Sequence, residues 1–344
     1  MSSQGVLGHG ARLAALLVLI LAFAAPAAQA TTPAEDASGW LAEELVEGDH
    51  YEATFGELVF PDAGLTTDSL FAFEATGNVG PAAATAGWLT SGANPDAYVG
   101  DGVTESYAGS LGKLGAALAT HGLDPDDPAD TGGRELISDL VALQQGSGRF
   151  EDEPFDFSNP FGQSWATLAL AACDRGACVS VPAGAAAAVE DSAAYLLTQQ
   201  CPNGGFPSQF DEVECASDVD STGMVVQALI AEESVASEVA AEAAIAWLEL
   251  VKSEAGDFWE SSACEPPGPS ANSTVLAMMA LSAWGTSVSG PSEWLESIQN
   301  EEEPDFGLPR CSASGAGNIR ATVQGVYGLS GSLDGSYMEQ LGLP

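Results

Sequence analysis

The 344-residue chain carries 49 acidic against 8 basic side chains, a formal net charge of −41 at neutral pH. A field of that sign repels phosphate and excludes nucleic acid as a partner. An apolar content of 46% excludes general disorder.

At the N-terminus, Arg12 precedes an apolar run from Leu13 to Ala25 and a small-residue stretch ending Ala28-Gln29-Ala30. This is the pattern of a secretory signal cleaved after Ala30. The run is too short to span a bilayer, so residues 31–344 are expected to form one secreted domain with no membrane anchor. Its six cysteines, Cys173, Cys178, Cys201, Cys215, Cys264 and Cys311, are an even number in an exported chain, which predicts three disulfides.

An apolar doublet then recurs six times, as Trp40-Leu41, Trp88-Leu89, Leu140-Val141, Tyr195-Leu196, Trp247-Leu248 and Trp294-Leu295, at spacings of 48, 52, 55, 52 and 47 residues. A period of this length is the signature of stacked supersecondary units. Each unit reads as a helix bearing the doublet, a loop carrying an aromatic residue, and a second helix opening on small polar residues. In the fourth unit the first helix, 186–200, is apolar on one side only, whereas the second, 222–231, is apolar nearly all round. The same contrast separates 243–252 from 275–284, and 293–299 from 321–329. The enclosed helices open near Thr67, Tyr107, Trp165, Thr222, Thr274 and Thr322, and these spacings track those of the doublets. Six outer and six inner helices in alternation predict an all-α fold, an α/α toroid (α6/α6 barrel). In that frame Cys201 and Cys215 flank one outer-to-inner loop, and Cys264 and Cys311 occupy neighbouring loops at the same end. Cys173 and Cys178 sit together at the opposite end, so the expected bridges are 173 to 178, 201 to 215 and 264 to 311.

The fourth unit, Tyr195-Leu196-Leu197-Thr198-Gln199-Gln200, then Asn203-Gly204-Gly205-Phe206, then Asp218-Val219-Asp220-Ser221-Thr222, resembles the prenyltransferase and squalene-oxidase repeat, in its exported bacterial branch. Phe150, Phe258 and Phe306 stand where Phe206 does, and Asn272-Ser273-Thr274 where Asp220-Ser221-Thr222 does. The resemblance implies the toroid shared by terpenoid cyclases, protein prenyltransferase β-subunits and transcobalamin-like carriers. It also implies a role for Asp220, supported by Asp218, as the acid that protonates an alkene in class II cyclases, although Ser221 replaces the aspartate usual in that motif. Such chemistry needs a protonated carboxyl in a dry cavity. The competing reading has Asp220 or Ser221 capping the inner helix, with Asn272 and Ser273 repeating the cap one unit later.

No metal site and no cofactor is expected. Prenyl transfer would need a zinc ligand set and a basic diphosphate pocket, whereas Arg320 is the sole basic residue expected near the mouth, where an acidic partner suits it. Cobalamin enters only through the carriers, which use a second β-domain. Calcium enters only through Asp124-Pro125-Asp126-Asp127-Pro128-Ala129-Asp130, where Ala129 replaces the glycine of an EF-hand loop. The expectation is therefore a non-catalytic toroid that binds a small molecule or an extracellular protein at the end where inner helices begin. Phe206, Phe258, Trp259, Asn272, Phe306 and Arg320 are its candidate contacts. The alternative is a cyclase-like enzyme for a neutral isoprenoid, with Asp220 as proton donor.

Overall fold

The computed structural model describes residues 31–301, 304–311, 315–330 and 336–344. The expected leader, residues 1–30, lies outside them. In chain order the helices are α1 (Pro33–Glu43), α2 (Ala63–Ala75), α3 (Val79–Leu89), α4 (Asn94–Val99), α5 (Ala108–Thr120), α6 (Leu136–Ala142), α7 (Pro160–Ala172), α8 (Ala185–Thr198), α9 (Val219–Glu232), α10 (Val235–Val251), α11 (Ala271–Ala283), α12 (Ser289–Ile298), α13 (Ile319–Leu329) and α14 (Tyr337–Gln340).

Helices α2, α5, α7, α9, α11 and α13 pack each on the next, and α13 packs back on α2, so the inner ring is closed. Outside it, α1, α3, α6, α8, α10 and α12 each cover an inner neighbour. Closure is also chemical: the Gln299 side-chain amide donates to the Pro33 carbonyl at 2.9 Å, joining the last outer helix to the first. The fold is an α/α toroid.

Burial follows sequence character. Every residue from Ser273 to Leu281 of α11 is buried, as an inner helix requires, whereas α12 buries only Pro291, Ser292, Leu295 and Ile298. Inner helices approach closely where side chains are absent. A Cβ on Gly223 would stand 2.6 Å from the Leu276 carbonyl oxygen, and one on Gly112 would stand 2.6 Å from the Ala166 nitrogen. Any larger residue at either position forces neighbouring helices apart.

Helix boundaries differ from the sequence expectation mainly at their starts. Ser234 caps α10, which runs through the alanine-rich stretch before Ala243 and so begins well upstream. Inner helices likewise start a few residues before the apolar run, because their caps lie outside it. The hairpin β1 (Glu52–Phe55) and β2 (Leu58–Pro61) leads into α2, and shorter antiparallel pairs hold the same place before α9 (Phe206–Pro207 with Ser217–Asp218) and α11 (Glu260–Ser261 with Gly268–Pro269).

The three disulfides join Cys173 to Cys178, Cys201 to Cys215 and Cys264 to Cys311, with Cα separations of 4.7, 5.4 and 5.4 Å. Among the described residues no helix is long and apolar enough to cross a membrane.

The barrel axis is filled from the end where inner helices finish. Tyr337, on α14, meets Phe71, Trp165 and Tyr327 at ring-centroid distances of 4.9, 4.8 and 4.9 Å. Gln340 fixes the plug, donating to the Phe71 carbonyl at 3.1 Å and accepting from the Tyr327 hydroxyl at 3.2 Å.

Candidate functional site

A single local motif sets the register of five of the six inner helices. Asp62, Asn159, Asp218, Ser270 and Asn318 are N-caps, each side chain accepting from the backbone N–H three residues on. Four residues after each cap stands a polar side chain, Thr66, Gln163, Thr222, Thr274 or Thr322. It accepts from the backbone N–H of a residue in the preceding loop: Tyr51 (3.0 Å), Phe150 (2.9 Å), Phe206 (2.8 Å), Trp259 (3.1 Å) and Leu308 (2.9 Å), respectively. These five residues are the structural equivalents. Trp259 rather than Phe258, and Leu308 rather than Phe306, therefore occupies the place of Phe206.

The wedge role buries these side chains, and of the five Phe150 lines a mouth cleft. Phe206 and Trp259 are fully buried, and the Trp259 indole N–H donates to the Leu248 carbonyl at 2.8 Å. Phe258 packs against Trp294 at 5.3 Å, and Phe306 lies against the core. None of the four lines the mouth clefts described next.

Counting from the caps places other residues there. Two positions beyond the cap stand Phe161, Asp220, Asn272 and Arg320, and six beyond stand Asp68, Trp165, Leu276 and Gln324. A separation of four residues keeps both sets on one helix face. On α5, Lys113 belongs with the second set: its ammonium lies 2.6 Å from the Asp68 carboxylate and 3.0 Å from the Gly64 carbonyl. Burial alone would lower the Lys113 pKa, but the Asp68 charge overcomes it and the net shift is upward.

Two adjoining clefts open at this mouth, with Phe161 as their common wall. The larger, about 350 Å³, is lined by Tyr98, Tyr107, Lys113, Asp152 and Trp165 among others. Asp152 caps α5 from a distance, accepting from the Ala108 N–H at 2.7 Å, and burial raises its pKa. The smaller, about 180 Å³, is lined by Asp220, Asn272, Leu276, Arg310, Arg320 and Gln324 among others. Its wall is held by Asn272, whose side-chain amide donates to the Arg320 carbonyl at 3.0 Å and to Gln324 Oε1 at 2.7 Å. The Arg320 guanidinium pairs with Asp62, the cap of α2, across the seam of the ring.

The two aspartates of the sharpest sequence motif divide their roles. Asp218 is the cap, accepting from the Ser221 N–H at 2.9 Å, so the cap lies two residues before Asp220, and Ser270 holds the matching place before Asn272. Asp220 is left without that employment. Its Oδ1 is buried with no hydrogen-bond partner, and its pKa is pushed up to about 6. Burial is the main cause and the Asp218 charge adds to it, against opposing contributions from the Ser273 hydroxyl and Arg310. A carboxyl in this state can donate or accept a proton near neutrality.

The Asp124–Asp130 turn spends its carboxylates on backbone amides. Asp126 accepts from the N–H groups of Ile137 (3.1 Å) and Ser138 (2.8 Å), and Asp124 from that of Val179 (2.8 Å).

No protein-family model and no curated protein matches the sequence. Solved structures do match. Type II terpene cyclase MstE from Scytonema superposes with a TM-score of 0.57 at 16% identity, over 86% of this chain and 96% of that one. A glycosidase variant gives a TM-score of 0.60 at 14% identity, over 91% and 97% of the two chains. The fold these structures share with the chain is the α/α toroid. A polysaccharide lyase shares this toroid as well, at a TM-score of 0.56 and 10% identity over 89% and 98% of the chains. The α/α toroid thus accommodates unrelated chemistries, and function has to be argued from the site.

Proposed function

We propose that this terpenoid cyclase-like toroid is an exported binding protein that takes a small polar molecule at the mouth where its inner helices begin. The observation that carries this reading is the filled axis. With Tyr337 seated among Phe71, Trp165 and Tyr327, the axis is occupied by aromatic rings among the described residues, and the mouth offers two clefts with charged and aromatic walls. Three disulfides suit an exported protein. The pairs 201–215 and 264–311 tie together loops that surround the mouth.

One observation favours a second reading, catalysis with Asp220 as general acid: its carboxyl is buried, its Oδ1 has no hydrogen-bond partner among the described residues, and burial pushes its pKa up to about 6. The structural neighbours include a terpene cyclase, glycosidases and a polysaccharide lyase. Native mass spectrometry of the protein purified from its own source separates the two readings. A co-purified small molecule, released when Lys113 or Asn272 is replaced by alanine, is the expected result. Turnover of a neutral isoprenoid that Asp220→Asn abolishes would overturn the binding reading in favour of the enzyme.

A further inference from the structure

The smaller cleft holds two unmet demands for a partner. On one side, Asp220 Oδ1 is buried without a donor. On the other, Arg310 is exposed and makes no ion pair with any described residue. That is anomalous in this chain, where acids outnumber bases 49 to 8. The six other basic residues after Ala30 (Lys113, Arg134, Arg149, Arg175, Lys252 and Arg320) all have carboxylate partners. Asp220 shares the cleft with Arg310, and the two interact electrostatically without forming an ion pair. The Asn272 side-chain N–H groups are spent on Arg320 and Gln324, and the Arg320 guanidinium on Asp62.

Resting on the reading that the mouth is the binding end, we propose that this cleft is a subsite for a small carboxylate with a hydrogen-bond donor on the neighbouring carbon. The carboxylate sits on the Arg310 guanidinium and the donor on the Asp220 carboxyl where it lines the cleft. A guanidinium presents its N–H groups as a planar fork that matches a carboxylate. A donor delivered to the Asp220 carboxyl adds a partner to a group that has too few. The acidic exterior repels anions at long range, so a ligand whose donor answers Asp220 is favoured over a bare anion. 2-Hydroxy acids and amino acids share this chemistry. The cleft, at about 180 Å³, suits one such group.

The test is calorimetric titration of the secreted full-length chain with L-lactate, with L-alanine, and with propionate, which lacks the neighbouring donor. One of the first two is expected to bind at least about tenfold more tightly than propionate, and which one does so identifies the source. Arg310→Gln is expected to weaken that ligand by roughly tenfold or more. Asp220→Asn is expected to narrow the gap over propionate, with near-ultraviolet circular dichroism reporting intact packing in both variants. Equal binding of all three ligands by the wild-type protein overturns the proposal, as does the absence of binding up to about 10 mM or retention of full affinity by a folded Arg310→Gln. A different small molecule found by native mass spectrometry, bound in the larger cleft, would leave the mouth as the binding end and refute only this subsite.

Discussion

The two ends of the inner barrel are made by the same six helices and obey opposite rules. Where the helices finish, Tyr337 enters between aromatic rings, and its neighbour Tyr327 has its hydroxyl satisfied by Gln340. Burial holds both phenols far above their ordinary pKa, so neither ionises. Where the helices start, a buried ion pair, Lys113 with Asp68, stands near the Asp220 carboxyl, whose Oδ1 has no hydrogen-bond partner, and Arg310, which has no carboxylate partner among the described residues. One end is dominated by packed aromatic rings, with Trp165 Nε1 left unpartnered, and the other by charged groups. A fold stabilised at one end can tolerate unmet polar groups at the other, and those groups are where recognition is to be sought.

The sharpest challenge to this contrast is Tyr337→Ala, which empties the axis and is expected to cost about 3–5 kcal/mol. Chemical denaturation measures it, and a loss below about 1 kcal/mol would mean the closed end is not packed as described. Next in size, replacing Cys264 and Cys311 with serine frees two neighbouring mouth loops whose cysteines lie 47 residues apart, with an expected loss of about 2–4 kcal/mol. The open end responds differently to Asp220→Asn. Because folding raises the Asp220 pKa from 3.8 to about 6, the folded state binds more protons in that window. Stability from this group is then fully present below pH 3.8 and lost as pH rises through about 6. At pH 7 the asparagine variant is therefore expected to be more stable than wild type, on the order of 2 kcal/mol, with the advantage gone at pH 4. The smallest effect belongs to Asp218→Ala, which removes a cap and is expected to cost about 1 kcal/mol at pH 7, opposite in sign to Asp220→Asn.

The architecture was legible because two periodic signals, the outer doublets and the enclosed helices, keep step over the whole domain. The disulfides followed from the same frame, since outer-to-inner loops must share one end. Site residues were harder to place because loop lengths vary. From the wedge to its acceptor the separation is 15 residues at Tyr51, 13 at Phe150, 16 at Phe206, 15 at Trp259 and 14 at Leu308. Matching aromatic residues along those loops picks Phe258 and Phe306, one and two residues off. The usable signal lies at the helix starts: Asp62, Asp218, Ser270 and Asn318 each precede a threonine by four. Counting from that pair assigns the cap to Asp218 and frees Asp220. The pairing of Lys113 with Asp68 and the wall made by Phe161 become visible in the same way. Tyr337 has no counterpart in the repeat, so periodicity gave no sign of the plug.

Asp220 is a buried acid whose Oδ1 has no hydrogen-bond partner among the described residues. Its titration is directly observable by carboxyl-carbon NMR, with the resonance assigned by its disappearance in Asp220→Asn. An apparent pKa near 6 is the expected result. A value at or below 3.8, the ordinary range for aspartate, would show a carboxylate already satisfied within the fold and would contradict the open character of the mouth.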